Sequence, residues 1–349
     1  MSIRWNLLDI ISLAVTSCLV CADPAGAADL DSGKAFVTSN SGMGGFAGLF
    51  SGEAMQPGIA VAAADPGASP ETSPISDYFA NWFARVDQAK QSQPHWLPPL
   101  MTMSPLITEL LRQDAYYQWA GNGSRVLNLG AGKGLFLVPW KTIEVDFGIP
   151  SFQQRYNVQP TAGLPDWQFL LVKQRLLSAN EQEGNYIVTA ALAAQAPIGI
   201  PQFTDNAFVI TPSLAAGKGF GNLNIQAATS LVIPTAHEDT IGTALRTNVA
   251  FQYHLGELLW PEFEVNWAHW FNGTQRGGRD EVFFTVGALV GPIPIAGRVS
   301  IVFGGGFQFA VAPSQTLGPT LTPERCSLSS QMAWCASSLL MKCGTKMRR

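Results

Sequence analysis

Charge is scarce in this chain. Only 13% of its 349 residues are Asp, Glu, Lys or Arg, against about 25% in a typical soluble domain. So few charges cannot cover an ordinary water-facing surface. Either part of the surface faces something other than water, or part of the chain is low in complexity. Cysteine is missing between Cys21 and Cys326, which excludes a disulfide framework or a cysteine-held metal in the main body. Long apolar runs are missing too. Past residue 27, Gly, Pro, Asn or a charge breaks every apolar stretch within about a dozen positions, and a membrane-crossing helix needs about 20. In lipid only helices and closed barrels satisfy all backbone polar groups. A membrane chain of this composition must therefore cross as a barrel. With a formal charge of −4 and no basic cluster, nucleic acid is not indicated as a partner.

Residues 1–27 read as a signal peptide, with Arg4 at the start, an apolar core over 10–21 and the small-residue site Ala25-Gly26-Ala27. Val15-Thr16-Ser17-Cys18 also fits a lipobox ending in an acylated Cys18. Residues 28–74 are rich in Gly, Ala, Ser and Pro. Such a stretch buries too little apolar surface to offset its chain entropy, and is expected to be flexible. Residues 75–104 are read as a short amphipathic helix and lead-in. Ile75, Phe79, Trp82, Phe83 and Val86 stand at helical spacing, which predicts one helix over 75–91 with its apolar face against the end of the next domain.

From 105 to 313 the apolar period becomes 2. Leu245, Thr247, Val249, Phe251, Tyr253 and Leu255 share one face, and Arg246, Asn248, Ala250, Gln252 and His254 the other. Phe263, Val265 and Trp267 likewise oppose Glu262, Glu264 and Asn266. Successive strand side chains point to opposite faces, so these are ribbons with one oily and one wet side. Eleven candidates follow: 105–118, 125–137, 141–154, 167–178, 186–198, 207–219, 223–234, 244–256, 262–272, 281–291 and 297–311. Many are long enough to cross a membrane at a tilt, which takes about 9–11 residues. Short turns alternate with longer polar loops at 199–206, 235–243 and 273–280, and Trp and Tyr lie near many strand ends. The fold class expected is all-β: an antiparallel transmembrane β-barrel. Bacterial single-chain barrels use even strand numbers, so about 12 strands are predicted, one of them unaccounted for.

The missing strand should follow Pro313, but alternation stops there. Residues 314–349 instead bring Cys326, Cys335, Cys343, Arg325, Lys342, Lys346, Arg348 and Arg349. This atypical tail fits an altered reading frame after about residue 323 better than a natural extension, and would leave an unpaired sheet edge, which is unfavourable in lipid.

Gly130-Ala131-Gly132-Lys133-Gly134 tempts one towards a methyltransferase glycine loop, with Glu144 or Asp146 as ribose ligand. Only residues 135–142 separate the two candidate strands, too few for a crossover of about 10–12 residues or more. Gly134 also stands where a P-loop needs Ser or Thr. A near copy, Ala216-Gly217-Lys218-Gly219, points to a structural use of glycine at strand ends. His95, His237, His254 and His269 lack metal-ligand spacing. No catalytic residues, metal site or cofactor are therefore assigned. The expected lumen-lining residues are Glu144, Asp146, Lys173, Arg175, Arg246, His254, Glu262, Glu264 and Arg298, whose mixed signs imply no strong ion preference.

Several motifs together resemble one bacterial outer-membrane family, the "MetA-pathway of phenol degradation" transporters. They are Trp82-Phe83-Ala84-Arg85-Val86, Gln93-Pro94-His95-Trp96, the glycine stretch 130–134, Arg175-Leu176-Leu177-Ser178-Ala179-Asn180-Glu181, residues 184–189 and 211–219, Ala250-Phe251-Gln252-Tyr253-His254 and residues 260–266. The resemblance spans about residues 78–323. It implies a porin-like barrel in a Gram-negative outer membrane, placed by the barrel assembly machinery and passively passing small molecules, aromatic or hydrophobic ones among them. Such chains close on an aromatic strand, which is lacking here. A structural or plugged barrel without transport is the alternative, and an outer-membrane hydrolase a more distant one.

Overall fold

The computed structural model describes residues 74–119, 125–130, 133–157, 159–274, 276–311, 333–336 and 339–343. The signal-peptide and lipobox readings, nearly all of the 28–74 segment and most of the tail lie outside them. Two compact units are distinguished, one up to Phe79 and one from Ala80 onward. Of the first, only residues 74–79 are described, within helix α1 (Pro74–Ala80). A separate helix, α2 (Trp82–Gln91), follows.

The second unit is one antiparallel sheet of sixteen strands. They are β1 (Leu110–Trp119), β2 (Arg125–Gly130), β3 (Gly134–Trp140), β4 (Ile143–Gly148), β5 (Phe152–Tyr156), β6 (Thr161–Gly163), β7 (Trp167–Ala179), β8 (Tyr186–Ala196), β9 (Val209–Phe220), β10 (Leu223–Pro234), β11 (Ala244–Tyr253), β12 (Leu259–Trp270), β13 (Asp280–Ala296), β14 (Val299–Ala310), β15 (Ala333–Ala336) and β16 (Leu339–Cys343). Four pairs are interrupted halves of one ribbon. β1 pairs with both β2 and β3, these pair onward with β5 and β4, those with β6 and β7, and β14 with both β15 and β16. Merging those four pairs turns sixteen segments into twelve staves. The first two breaks have local causes. Gly130 adopts φ +109°, open to glycine and few others, and Pro150, between β4 and β5, has no N–H for a ladder.

The twelfth stave comes from the tail. β15 and β16 pair with β14 on one side and β1 on the other. The sheet thus returns to its start and the expected open edge is filled at the backbone. The first predicted strand, 105–118, is corrected. Strand pairing begins only at Leu110, because residues 105–109 leave the wall.

Burial is inverted relative to a water-soluble protein. Leu177 is 60% exposed, Leu214 54% and Val286 50%, whereas Glu144, Gln226, Gln252 and Glu264 are 0% exposed. Apolar side chains face outward on successive staves, with Leu135, Phe147, Val172, Leu192, Phe251, Phe263 and Phe303 all on the outside. The apolar face of a closed ribbon has no other layer to pack against, so it requires an apolar surrounding. This is the architecture of a transmembrane β-barrel. No helix among the described residues is long and apolar enough to cross a membrane.

Candidate functional site

The barrel interior is not an open pipe. The short turns at 141–142, 180–185, 221–222 and 297–298 gather at one end, and the longer loops 197–208, 235–243 and 271–279 at the other. At the short-turn end, α2 packs Val86 and Ala89 against Val138 and Ile107, with Trp82 alongside. Residues 92–109 then run through the lumen with no regular structure, most of them buried.

An irregular buried backbone must find partners for its polar groups. Four prolines, Pro94, Pro98, Pro99 and Pro105, reduce the donors that need one. Inward-facing wall side chains serve several of the others. Glu262 Oε1 accepts from Leu100 N at 2.9 Å. Glu264 accepts from Met101 N at 2.7 Å, Thr102 N at 2.7 Å and Thr102 Oγ1 at 2.5 Å. Glu144 Oε2 accepts from Thr108 N. Segment carbonyls accept in return: Leu97 O from Gln226 Nε2 at 2.9 Å, Leu106 O from Lys173 Nζ at 2.9 Å, and Pro99 O and Leu100 O from the Arg112 guanidinium at 2.9 and 2.6 Å. Within the segment, Gln93 and Ile107 bond reciprocally.

Two apolar anchors have shaped seats. Leu100 packs with Leu97, Leu110, Trp260, Leu289 and Val302. A Cβ added at Gly287, Gly304 or Gly306 would stand 2.5, 2.8 or 3.1 Å from it. Trp96 packs with Leu106 and Ile187, and a Cβ at Gly217 would stand 2.6 Å from its ring. The repeated glycine motif therefore has a use at Gly217: room for an inserted ring. At the other copy, β3 and β4 pair antiparallel across a turn at 141–142, which leaves no crossover.

The predicted lumen residues divide by role. Glu144 and Lys173 pair at 2.5 Å, with side chains 0% and 4% exposed. Together with Glu262 and Glu264 they hold the inserted segment. Arg175 donates to Ala89 O at 2.8 Å and Lys141 O at 2.9 Å, fixing the helix end. His254 stacks on Trp260 with centroids 4.0 Å apart. Arg298 is placed differently from the expectation. It stands just past the turn Gly297, pairs with Asp87 of α2 and lies over the Phe83 ring, because a turn residue points at the helix capping that end. Arg246 reaches open space, and Asp146, itself buried, borders the same space. They line a cavity of about 500 Å3 that extends towards the long loops, with Met101, Thr102 and Met103 of the segment on its surface. Sequence reasoning missed Arg112, Asp114, Gln226 and Gln252. All four are almost wholly buried, and the only signal for them was their place on the wet face of an alternating ribbon.

One contact of the segment lies outside the barrel wall, in the turn at 180–185. Glu181 accepts from the His95 backbone at 2.6 Å and contacts its Nδ1 at 2.9 Å. Burial pushes the Glu181 carboxyl up, but hydrogen bonds from the His95 ring and backbone outweigh it, and the net result lies below the ordinary value of 4.5. A depressed carboxyl contributes stability above its unfolded value and loses it as pH falls through the folded one. The pair is half exposed, so the effect should stay under about 1 kcal/mol. Below pH 4.5 the protection factors of the amides around His95, taken relative to intrinsic exchange at each pH, are expected to be lower than at pH 7, and Glu181→Gln should remove most of that difference. Equal pH dependence in both proteins would refute it.

No protein-family model and no curated protein matches the chain. Among solved structures it is similar to an outer membrane channel from Pseudomonas putida F1, with 12% identity, 71% of this chain and 99% of that chain covered, and a TM-score of 0.43. It is similar also to the NanC porin, with 10% identity, 68% and 100% covered, and a TM-score of 0.42.

Proposed function

We propose that this chain is a porin-like outer-membrane protein that lets small molecules pass passively through a lumen narrowed by residues 92–109. The observation that carries it is the inverted cylinder: leucines, valines and phenylalanines outside, carboxylates, guanidinium groups and amides inside. A polar interior sealed from lipid suits a hydrophilic path, and twelve staves lie between small side-chain-filled barrels and open 16–18-stranded porins. The cavity facing the long loops is its vestibule. Export by the N-terminal leader, insertion by the barrel assembly machinery and membership of the phenol-degradation transporter family belong to the same reading, on the motifs given above. So does a preference for small aromatic or hydrophobic solutes, which rests on the family resemblance alone.

A second reading is a plugged barrel without transport. It is favoured by the buried groups that grip the segment along its length. Planar-bilayer recording separates the two. A folded barrel that carries no current, and no solute into vesicles, would end the transport reading.

The membrane placement has its own test. The chain should fractionate with outer membranes and shift in gel mobility on boiling. Val286, half exposed in the middle of β13, faces lipid in this reading. Val286→Arg should cost about 2–4 kcal/mol, seen as loss of the folded band at lower urea. A neutral effect would argue that this face meets water.

A further inference from the structure

The geometry points to a binding site for a small organic anion with a short apolar body, in the vestibule cavity, centred on Arg246. This deepens the transport reading and rests on it.

Arg246 is the one expected lumen cation that the fold leaves without work. Lys173 is bonded to Glu144 and the segment, Arg175 to the helix end and Arg298 to Asp87. Arg246 makes no hydrogen bond or ion pair among the described residues. Its side chain is exposed, yet the space it is exposed to is the cavity inside the barrel. Asp205 and Glu281 act on it only through space. Asp146, the other carboxylate on the cavity surface, stands on a stave five positions away around the ring of twelve, close to the opposite wall.

The surroundings suit a carboxylate. Cross-strand register places Ser213 opposite Ser230 and Ser230 opposite Arg246. This makes one row of two hydroxyls and a guanidinium across β9, β10 and β11, all on the cavity surface. Asn248 lies two residues further along β11 on the same face. A guanidinium with flanking neutral donors is a strong arrangement for a planar oxyanion. Towards the long loops the lining turns apolar at Val232, Ala244 and Trp270, with Arg276 stacked over the Trp270 ring at 5.1 Å. A bare inorganic anion would leave that side unfilled. The volume lies within the usual range for small-molecule sites, about 300–1,000 Å3.

The probes are hexanoate and its neutral isostere hexanamide, titrated by NMR line broadening against the detergent-solubilised full chain. Hexanoate should bind about tenfold more tightly, the scale of one charge-assisted contact. Arg246→Gln should abolish that preference, Arg246→Lys should retain part of it, and Ser230→Ala should lower it a few-fold. Heat-shifted gel mobility must show each variant folded. Equal binding of the two probes overturns the site, as does a preference that survives Arg246→Gln but falls with Arg276→Gln. Binding intact in a barrel with no solute flux would sink the transport reading alone. Flux intact with no hexanoate preference would sink the site alone.

Discussion

Deleting residues 82–108 is expected to raise single-channel conductance by about an order of magnitude, since ion flow through a lumen of twelve staves is set by what fills it. The segment places Leu97, Leu100, Trp96 and four prolines across the path. It carries no strand pairing, so its loss does not open the wall. The carboxylates it leaves behind, Glu144, Glu262 and Glu264, would exchange protein donors for water. A deletion barrel with normal heat-shifted mobility and unchanged conductance would show that the segment does not set the constriction. A milder version is Glu264→Leu, which strips the acceptor shared by Met101 N, Thr102 N and the Thr102 hydroxyl. Longer or more frequent openings are expected there, short of the deletion's effect.

Lys173→Met should be among the most damaging single changes in the chain. Lys173 Nζ donates to Glu144 Oε1 at 2.5 Å and to Leu106 O at 2.9 Å. Without it, Glu144 is a fully buried carboxylate facing Asp146 with no cation bonded to it. Breaking one partner of a buried pair costs about 3–5 kcal/mol, while removing both partners together can be nearly neutral. The measurement is the urea midpoint for loss of the folded gel band. The single variant should fall far below wild type, and Glu144→Gln with Lys173→Met should recover much of the loss. If the single variant lies within about 1 kcal/mol of wild type, the pair is hydrated and not the lock described here.

Much of the wall could be read from residue order. The face assignments of β10, β11 and β12 follow from alternation, and the structure buries Gln226, Gln252, Glu262 and Glu264 while exposing Phe251 and Phe263. Alternation also supplied eleven of the twelve staves. The last escaped because residues 333–343 do not alternate. Their pairing is decided by the two free edges, β14 and β1, that the rest of the barrel presents. The start of β1 was misplaced because residues 105–109 are as apolar as a strand, and their burial in the lumen is a long-range matter.

The occupant of the lumen could not be read at all. Residues 92–109 have the composition of a linker, with four prolines and no period, and local pattern does not distinguish a linker in water from one threaded through a barrel. Their partners, Glu262, Glu264, Gln226 and Lys173, stand 67 to 163 residues away. Sequence order alone determined which side chains face lipid and which face inward, because a strand's period of two is local and needs no partner to express itself. Only closure of the sheet decided which inward charges grip the segment and which, like Arg246, are left facing empty space, because that depends on which staves stand opposite one another across the ring.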